Sequence, residues 1–201
     1  MITILDYGAG NLRSVQNALA ELGAEYELVN DAAGLSRAWK LILPGVGHFG
    51  QMMRALDQMQ VRGALIERIQ SGVPFLGICL GLQALFEKSE EAPEERGLGL
   101  FAGTIHRFPA SARVPHMGWN EIKPRPGAKL LGNLPAHAYL YFAHSYYAPL
   151  TEATAATCNY TVDYTAVFES RNIHGVQFHP EKSGPLGLRI VRNFVELNGA
   201  S

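Results

Sequence analysis

The sequence predicts an α/β protein of three layers: a mostly parallel open sheet, helices on both of its faces, and antiparallel strands added to the parallel core. Three observations carry this expectation. Short apolar runs end in glycine or proline, as buried parallel strands do. Segments between them repeat apolar residues at helical spacing. Beyond Gly97 the pattern changes to β-rich runs broken by proline and glycine.

Taken in order, Ile2 to Asp6 reads as a strand that stops at the turn Tyr7-Gly8-Ala9-Gly10. Asn11 is placed to cap the next helix, in which Leu12, Val15, Leu19 and Leu22 recur at helical spacing until Gly23. Tyr26 to Val29 is a second strand. Leu41-Ile42-Leu43 is a third, closed by Pro44-Gly45-Val46-Gly47. Met52 to Ile69 is helical, with an interruption near Gly63, and stops before Gly72 and Pro74. Phe75 to Ile78 is a fourth strand, followed directly by a helix from about Leu80 to Lys88. From Gly97 to Phe168 the runs, among them Tyr139 to Tyr147 and Thr154 to Val162, supply the antiparallel strands. Gly175 to Phe178 is one more short strand, and Leu186 to Leu197 the closing helix. The acidic run Glu90-Glu91-Ala92-Pro93-Glu94-Glu95 reads as a solvated loop.

Composition narrows the function classes. A chain of 201 residues suits one compact domain, 1–201, with a sizeable core. With a net charge of -1 and both signs scattered, there is no electrostatic footprint for nucleic acid or an anionic membrane. Two cysteines, Cys79 and Cys158, do not make a disulfide framework. Met1 to Asp6 lacks the basic region of a signal peptide, and no apolar run approaches the roughly 18 residues of a membrane span. A soluble cytoplasmic protein is expected.

Three segments carry candidate chemistry. Gly77-Ile78-Cys79-Leu80-Gly81 lies between a strand and a helix, with a glycine two residues to each side of Cys79. That spacing permits the tight turn of a nucleophile elbow. The turn would lift the sulfur out of the sheet at its C-terminal end and set it at a helix N-terminus, which favours thiolate. Read alone, the pentapeptide is also compatible with a buried thiol, and Cys158, which has no flanking glycines, is read as one. His179-Pro180-Glu181 follows a strand and offers an imidazole base with a carboxylate to orient it, neighbours of alternate phase on one side of the chain. Alone it could equally be a surface turn. A zinc deaminase would continue with Pro-Cys-x-x-Cys, which is missing, so no metal is called for. The remaining histidines form no ligand pattern and are read as structural or surface residues. Pro44-Gly45-Val46-Gly47-His48-Phe49 could turn backbone N–H groups toward an oxyanion, with the N–H of Leu80 as second donor, or be a plain turn. Gly8-Ala9-Gly10 begins like a dinucleotide fingerprint, but Arg13 stands where the third glycine belongs, so no cofactor is called for.

The order glycine loop, Gly-x-Cys-x-Gly elbow and late His-x-Glu resembles the class I, triad-type glutamine amidotransferases, over nearly the whole chain. Asp6 to Leu12, Leu43 to Phe49, Gly77 to Gln83, Pro115-His116-Met117-Gly118-Trp119-Asn120, Phe142 to Tyr146 and Gly175 to Ser183 are similar, more narrowly, to the glutaminase subunits of histidine biosynthesis. Pro115 to Asn120 discriminates best.

The resemblance implies a flavodoxin-like arrangement. It makes Cys79 the nucleophile on the glutamine side-chain amide, His179 the proton carrier and Glu181 its orienting carboxylate. Val46, Gly47 and Leu80 would supply the oxyanion hole through their backbone, the glycine loop first rearranging a peptide. Gly47, Gln83, Ser145 and Tyr146 match positions that hold the amino-acid end of glutamine. The implied partner is a (β/α)8-barrel cyclase forming a heterodimer, with Met117, Trp119, Tyr141 and Lys182 as interface candidates; for Trp119 a place in the core is the competing reading. That cyclase would make imidazole glycerol phosphate and an aminoimidazole carboxamide ribonucleotide. Three rivals remain: a glutaminase feeding another synthase, a free-standing cysteine hydrolase of the same fold, and a binding subunit with a dead site. The intact Cys79, His179 and Glu181 speak against the last.

Overall fold

A computed structural model describes residues 1–8 and 11–197. Ala9 and Gly10, on which the expected turn after the first strand depends, lie outside the described residues. The elements in chain order are β1 (Ile2–Leu5), α1 (Leu12–Glu21), β2 (Tyr26–Val29), α2 (Ala32–Arg37), β3 (Leu41–Gly45), α3 (Phe49–Gln58) and α4 (Arg62–Gln70). They continue with β4 (Phe75–Cys79), α5 (Leu80–Gln83), β5 (Phe86–Ser89), β6 (Phe101–Arg107), β7 (His116–Pro124) and β8 (Ala138–His144). The chain then forms β9 (Tyr146–Tyr147), β10 (Thr154–Tyr160), β11 (Val162–Ser170), β12 (Ile173–Val176), a 3-10 turn (Pro180–Lys182) and α6 (Gly184–Glu196).

One sheet runs in the order β2-β1-β3-β4-β12-β11-β10-β7-β8. The first five are parallel, as the apolar runs require, and the order is that of a flavodoxin-like sheet. The next four are antiparallel extensions. β5, β6 and β9 make a separate small sheet. Alternation along each parallel strand sorts its side chains between two cores. Ile2, Ile4, Ile42 and Leu76 pack with Val15 and Leu19 of α1 and Ile190 and Phe194 of α6. Leu5, Leu41, Leu43 and Phe75 pack with Leu35 of α2, Met52 and Met53 of α3 and Leu65 of α4. Burying both faces explains why these strands read as unbroken apolar runs.

Several expectations are corrected. The helix expected from Leu80 to Lys88 lasts only four residues. The carbonyls of Ala84 and Leu85, which a longer helix would use, accept instead from Leu98, Leu100 and Phe101 N–H groups. The chain is thereby drawn into β5, whose Phe86 packs edge-on against Phe168. The helical stretch Met52 to Ile69 breaks at Met59 to Val61, where Gln60 has φ 57, and not at Gly63, which lies inside α4. Asn11 occupies the N-cap position of α1 without capping it; its Oδ1 accepts from Ser14 Oγ at 2.9 Å. Thr154 to Val162 is split by Thr161, whose positive φ turns the hairpin between β10 and β11. The strand expected at Gly175 to Phe178 runs over Ile173–Val176. α2 was not anticipated; its signal was Asp31, whose carboxylate accepts from Gly34 N–H at 2.7 Å. The acidic run is a loop, as expected, with Glu90, Pro93 and Glu94 exposed, but it is pinned: Glu90 accepts from Arg107 N–H and Glu91 from Phe49 N–H at the start of α3.

Candidate active site

β4 and β12 are neighbouring parallel strands, in register at Val176 and Ile78. Their C-terminal ends therefore deliver Cys79 and the segment Gln177 to Glu181 to the same place. Cys79 ends β4 and begins α5 with φ 53 and ψ -104, a conformation disfavoured for a residue with a Cβ. Such strain costs about 1–3 kcal/mol and survives only where the surroundings enforce it. They do so through close approach. A Cβ on Gly81 would overlap the Leu43 carbonyl, and one on Gly77 the Gly81 carbonyl. This is the nucleophile elbow that the glycine spacing predicts, and it leaves Cys79 6% exposed at the floor of a pocket.

His179 and Glu181 meet through Nδ1 and Oε1 at 2.9 Å, with side chains 4% and 2% exposed. They point to one side as expected, but a turn and not alternate phase brings them together. Pro180, which has no N–H and a fixed φ, opens a 3-10 turn that folds the carboxylate back under the ring. Ser183 clamps the turn: its hydroxyl donates to the His179 carbonyl at 2.7 Å and accepts from Tyr141 N–H at 2.9 Å. His179 N–H in turn donates to the Tyr141 carbonyl at 2.9 Å. Burial by itself would lower the basicity of His179, but the charge and hydrogen bond of Cys79 and those of Glu181 outweigh it and raise its pKa to about 10. The imidazole is thus held between the Cys79 sulfur and a carboxylate, both of which favour its protonated form.

The cavity above Cys79 has a volume of ≈ 200 Å³. That is small beside the roughly 300–1,000 Å³ of pockets for drug-sized ligands and suits an amino acid. Cys79, Leu80, Val46, Gly47, Gln83, Ser145, Tyr146 and His179 all line it. Met117 lies at its wall. With Met117, the structure thus brings together nine of the residues singled out in the sequence. Gly47 has φ 96, which a glycine adopts freely, and the loop it belongs to is anchored by His48, whose Nδ1 accepts from Gly50 N–H at 3.1 Å. Gln83 is buried, with Nε2 2.8 Å from the Tyr146 carbonyl. Trp119 is 57% and Met117 65% exposed, so Trp119 is not a core residue. Tyr141 is half-buried beside the Trp119 ring, and Lys182 is exposed.

Four residues near the site were given no role from the sequence: Gln177, Ser183, Glu91 and His144. Glu91 and His144 line the pocket. Ser183 and Gln177 flank His-Pro-Glu, so proximity to that motif was the available signal. For His144 the signal was its place before Ser145.

The family model for class-I glutamine amidotransferases matches residues 3–197. The chain belongs to that family. The fold is also shared with a solved structure described as a glutamine amidotransferase, at a TM-score of 0.77 with 97% of each chain covered and 21% identity. The PurLQS structure from Thermotoga maritima gives a TM-score of 0.70 at 18% identity, covering 96% of each chain.

Within the class, the chain is 48% identical over 98% of its length to the imidazole glycerol phosphate synthase subunit HisH of Methanothermobacter thermautotrophicus, covering 98% of that protein. It is 47% identical over 96% of its length to the subunit of the same name from Desulfitobacterium hafniense, of which it covers 93%. It is a member of the HisH family.

Proposed function

We propose that this chain hydrolyses glutamine to glutamate and ammonia as the glutaminase subunit of an imidazole glycerol phosphate synthase in histidine biosynthesis, with Cys79, His179 and Glu181 as its catalytic triad. The observation that carries the reading is the buried thiol–imidazole–carboxylate cluster at the ends of adjacent parallel strands, in a chain of the HisH family.

The Cys79 thiol gives its proton to His179, and the sulfur attacks the side-chain amide carbon of glutamine. The oxygen, now carrying the negative charge, is received by the N–H of Leu80 and the backbone of Val46 and Gly47; one such donor is worth about 2.7–4 kcal/mol. Collapse of the tetrahedral intermediate breaks the C–N bond. The His179 imidazolium gives its proton to the leaving nitrogen, ammonia departs, and a glutamyl thioester remains. Neutral His179 then takes a proton from water, the resulting hydroxide attacks the thioester, and glutamate leaves as the thiol is restored. Glu181 keeps Nδ1 protonated throughout, so that Nε2 is the nitrogen that exchanges protons. Gly47, Gln83, Ser145 and Tyr146 hold the amino-acid end of the substrate.

Ammonia released into water would be lost to protonation and diffusion, so the reading calls for a synthase seated over the pocket. Met117 and Trp119 on β7 pair with Ala143 and Tyr141 on the edge strand β8, and Tyr139 extends the same face. This exposed aromatic surface borders the pocket mouth through Met117 and Ala143. With Lys182 it is the proposed seat of a (β/α)8-barrel cyclase, making a heterodimer.

The test is glutamate release by the chain alone and with the (β/α)8-barrel cyclase subunit of an imidazole glycerol phosphate synthase and its nucleotide ligand. Strong activity only in the complex, lost in Cys79→Ala, is expected. Full activity without a partner would indicate a free hydrolase instead, and activity surviving in Cys79→Ala would remove the triad.

A further inference from the structure

Behind Cys79 lies a pair of side-chain amides whose orientation the backbone dictates. The Tyr146 carbonyl only accepts hydrogen bonds, and Gln83 approaches it at 2.8 Å, so the Gln83 amide must turn its nitrogen that way. The same nitrogen has a second hydrogen, which faces Gln177 Oε1 at 3.2 Å. With its oxygen committed to Gln83, Gln177 presents Nε2 on its other side, 3.6 Å from the Cys79 sulfur. The opposite flip would set two nitrogens against each other and an oxygen against the sulfur lone pairs. Gln177 is 0% exposed, so water does not compete for this contact. It sits there because it continues β12 beyond the Val176–Ile78 pair, in the register that places it beside Cys79.

We infer that Gln177 is a positioning residue of the glutaminase reaction: its amide, aimed by Gln83 and the Tyr146 carbonyl, holds the nucleophilic sulfur and stabilises it as thiolate. An N–H donor favours the charged form of the atom it reaches over the neutral one. The contact also restrains the Cys79 side chain, the one rotor between the strained backbone and the substrate carbon. This inference rests on Cys79 being the nucleophile.

The charged and titratable groups around the sulfur are His179, with Glu181 behind it, Tyr7 after β1, Tyr164 on β11, and Glu91 and His144 on the walls of the same pocket. None of them is altered by a change at position 177, so a difference measured there reports on the amide.

The experiment is the pH dependence of Cys79 alkylation by iodoacetamide in the full chain, alongside steady-state kinetics of the complex with the cyclase. In Gln177→Leu the rate at neutral pH should fall about tenfold while the limiting rate at high pH stays unchanged, the factor given by losing one charge-assisted hydrogen bond. kcat should fall with little change in KM for glutamine. Gln177→Glu keeps an acceptor for Gln83 but sets a carboxylate beside the sulfur, and should react more slowly still at neutral pH. An unchanged alkylation profile in a folded Gln177→Leu chain would overturn the inference.

A measurement needing no substitution at 177 guards against misfolding. In the wild-type chain the Gln177 side-chain amide resonances should move as the sulfur titrates, and should stay still in Cys79→Ser. Resonances indifferent to that titration would equally overturn it. Glutaminase activity persisting in Cys79→Ala would instead defeat the triad reading and leave the amide–sulfur contact standing.

Discussion

At the scale of single residues, the site is governed by how burial and charge compete at His179. Its pKa of about 10 exists only because Cys79 and Glu181 overcome desolvation. Removing either partner leaves desolvation less opposed, so the imidazole in Cys79→Ala or Glu181→Gln should lose its proton at a lower pH than in the wild type. Titration of the ring resonances by NMR checks this, and a midpoint that stays near 10 in both variants would refute it. The folded pKa lies above the ordinary value of about 6.5. The ion pair therefore contributes stability in full below pH 6.5 and loses it as pH climbs toward 10. Such groups are legible in a sequence only when a motif gathers them. Cys79, His179 and Glu181 had motifs. Gln177 acts through an amide flip set by Gln83 and a distant carbonyl; its place two residues before His179 was the one signal, and it does not announce that role.

At the scale of elements, the elbow depends on two glycines rather than on the helix that follows. α5 is a single turn, so the expected long helix dipole contributes little; the sulfur is placed by the strained turn. Gly81→Ala would push a methyl group into the Leu43 carbonyl, backbone against backbone, where neither side can yield cheaply. The expected result is a loss of at least about 3 kcal/mol, in the range of severe core overpacking, read as a fall in Tm together with loss of glutaminase activity. The glycine spacing made this turn readable from sequence. The short length of α5 was not readable, because the hydrogen bonds that end the helix come from residues 98, 100 and 101, and local propensity carries no record of them. For the same reason the hydrogen bonds by which Glu90 and Glu91 pin Arg107 and Phe49 N–H could not be read from the acidic run itself.

At the scale of the whole molecule, the parallel core was legible because burial on both faces leaves continuous apolar runs. The order of the antiparallel extension was not, since β7, β8 and β10 alternate in similar ways. That extension carries a buried polar chain from the exposed face toward the site. Asn120 Nδ2 lies 3.4 Å from His116 Nε2, His116 Nδ1 and His144 Nε2 each lie 3.3 Å from the Tyr164 hydroxyl, and His144 Nδ1 is 2.8 Å from the Tyr146 carbonyl.

The donors and acceptors match when both rings are neutral, and burial lowers His116 to about 4 and His144 to about 3. The unfolded chain takes up protons below pH 6.5 that these folded rings refuse. Each should thus cost about 1.4 kcal/mol of stability per pH unit, down to its folded pKa. Together with His179 this puts the maximum of stability near neutrality. In His116→Phe, which keeps a flat ring between Tyr160 and Phe142, the acid limb should be shallower by about that amount between pH 6 and 4. Denaturant melts across pH check it; an unchanged acid limb would show that His116 is not held neutral. On the exposed face, Trp119→Ala should weaken cyclase binding by about 2 kcal/mol, roughly thirtyfold, in isothermal titration while leaving the Tm of the free chain nearly unchanged.

The central claim is that Cys79 is the nucleophile for the glutamine side chain. Its most direct test is covalent trapping with an electrophilic glutamine analogue, followed by peptide mass analysis of the chain in its synthase complex. One adduct on the peptide containing Cys79, suppressed by excess glutamine and missing in Cys79→Ala, is the expected result. Labelling of Cys158 instead, or hydrolysis of glutamine that continues while Cys79 is fully modified, would contradict it.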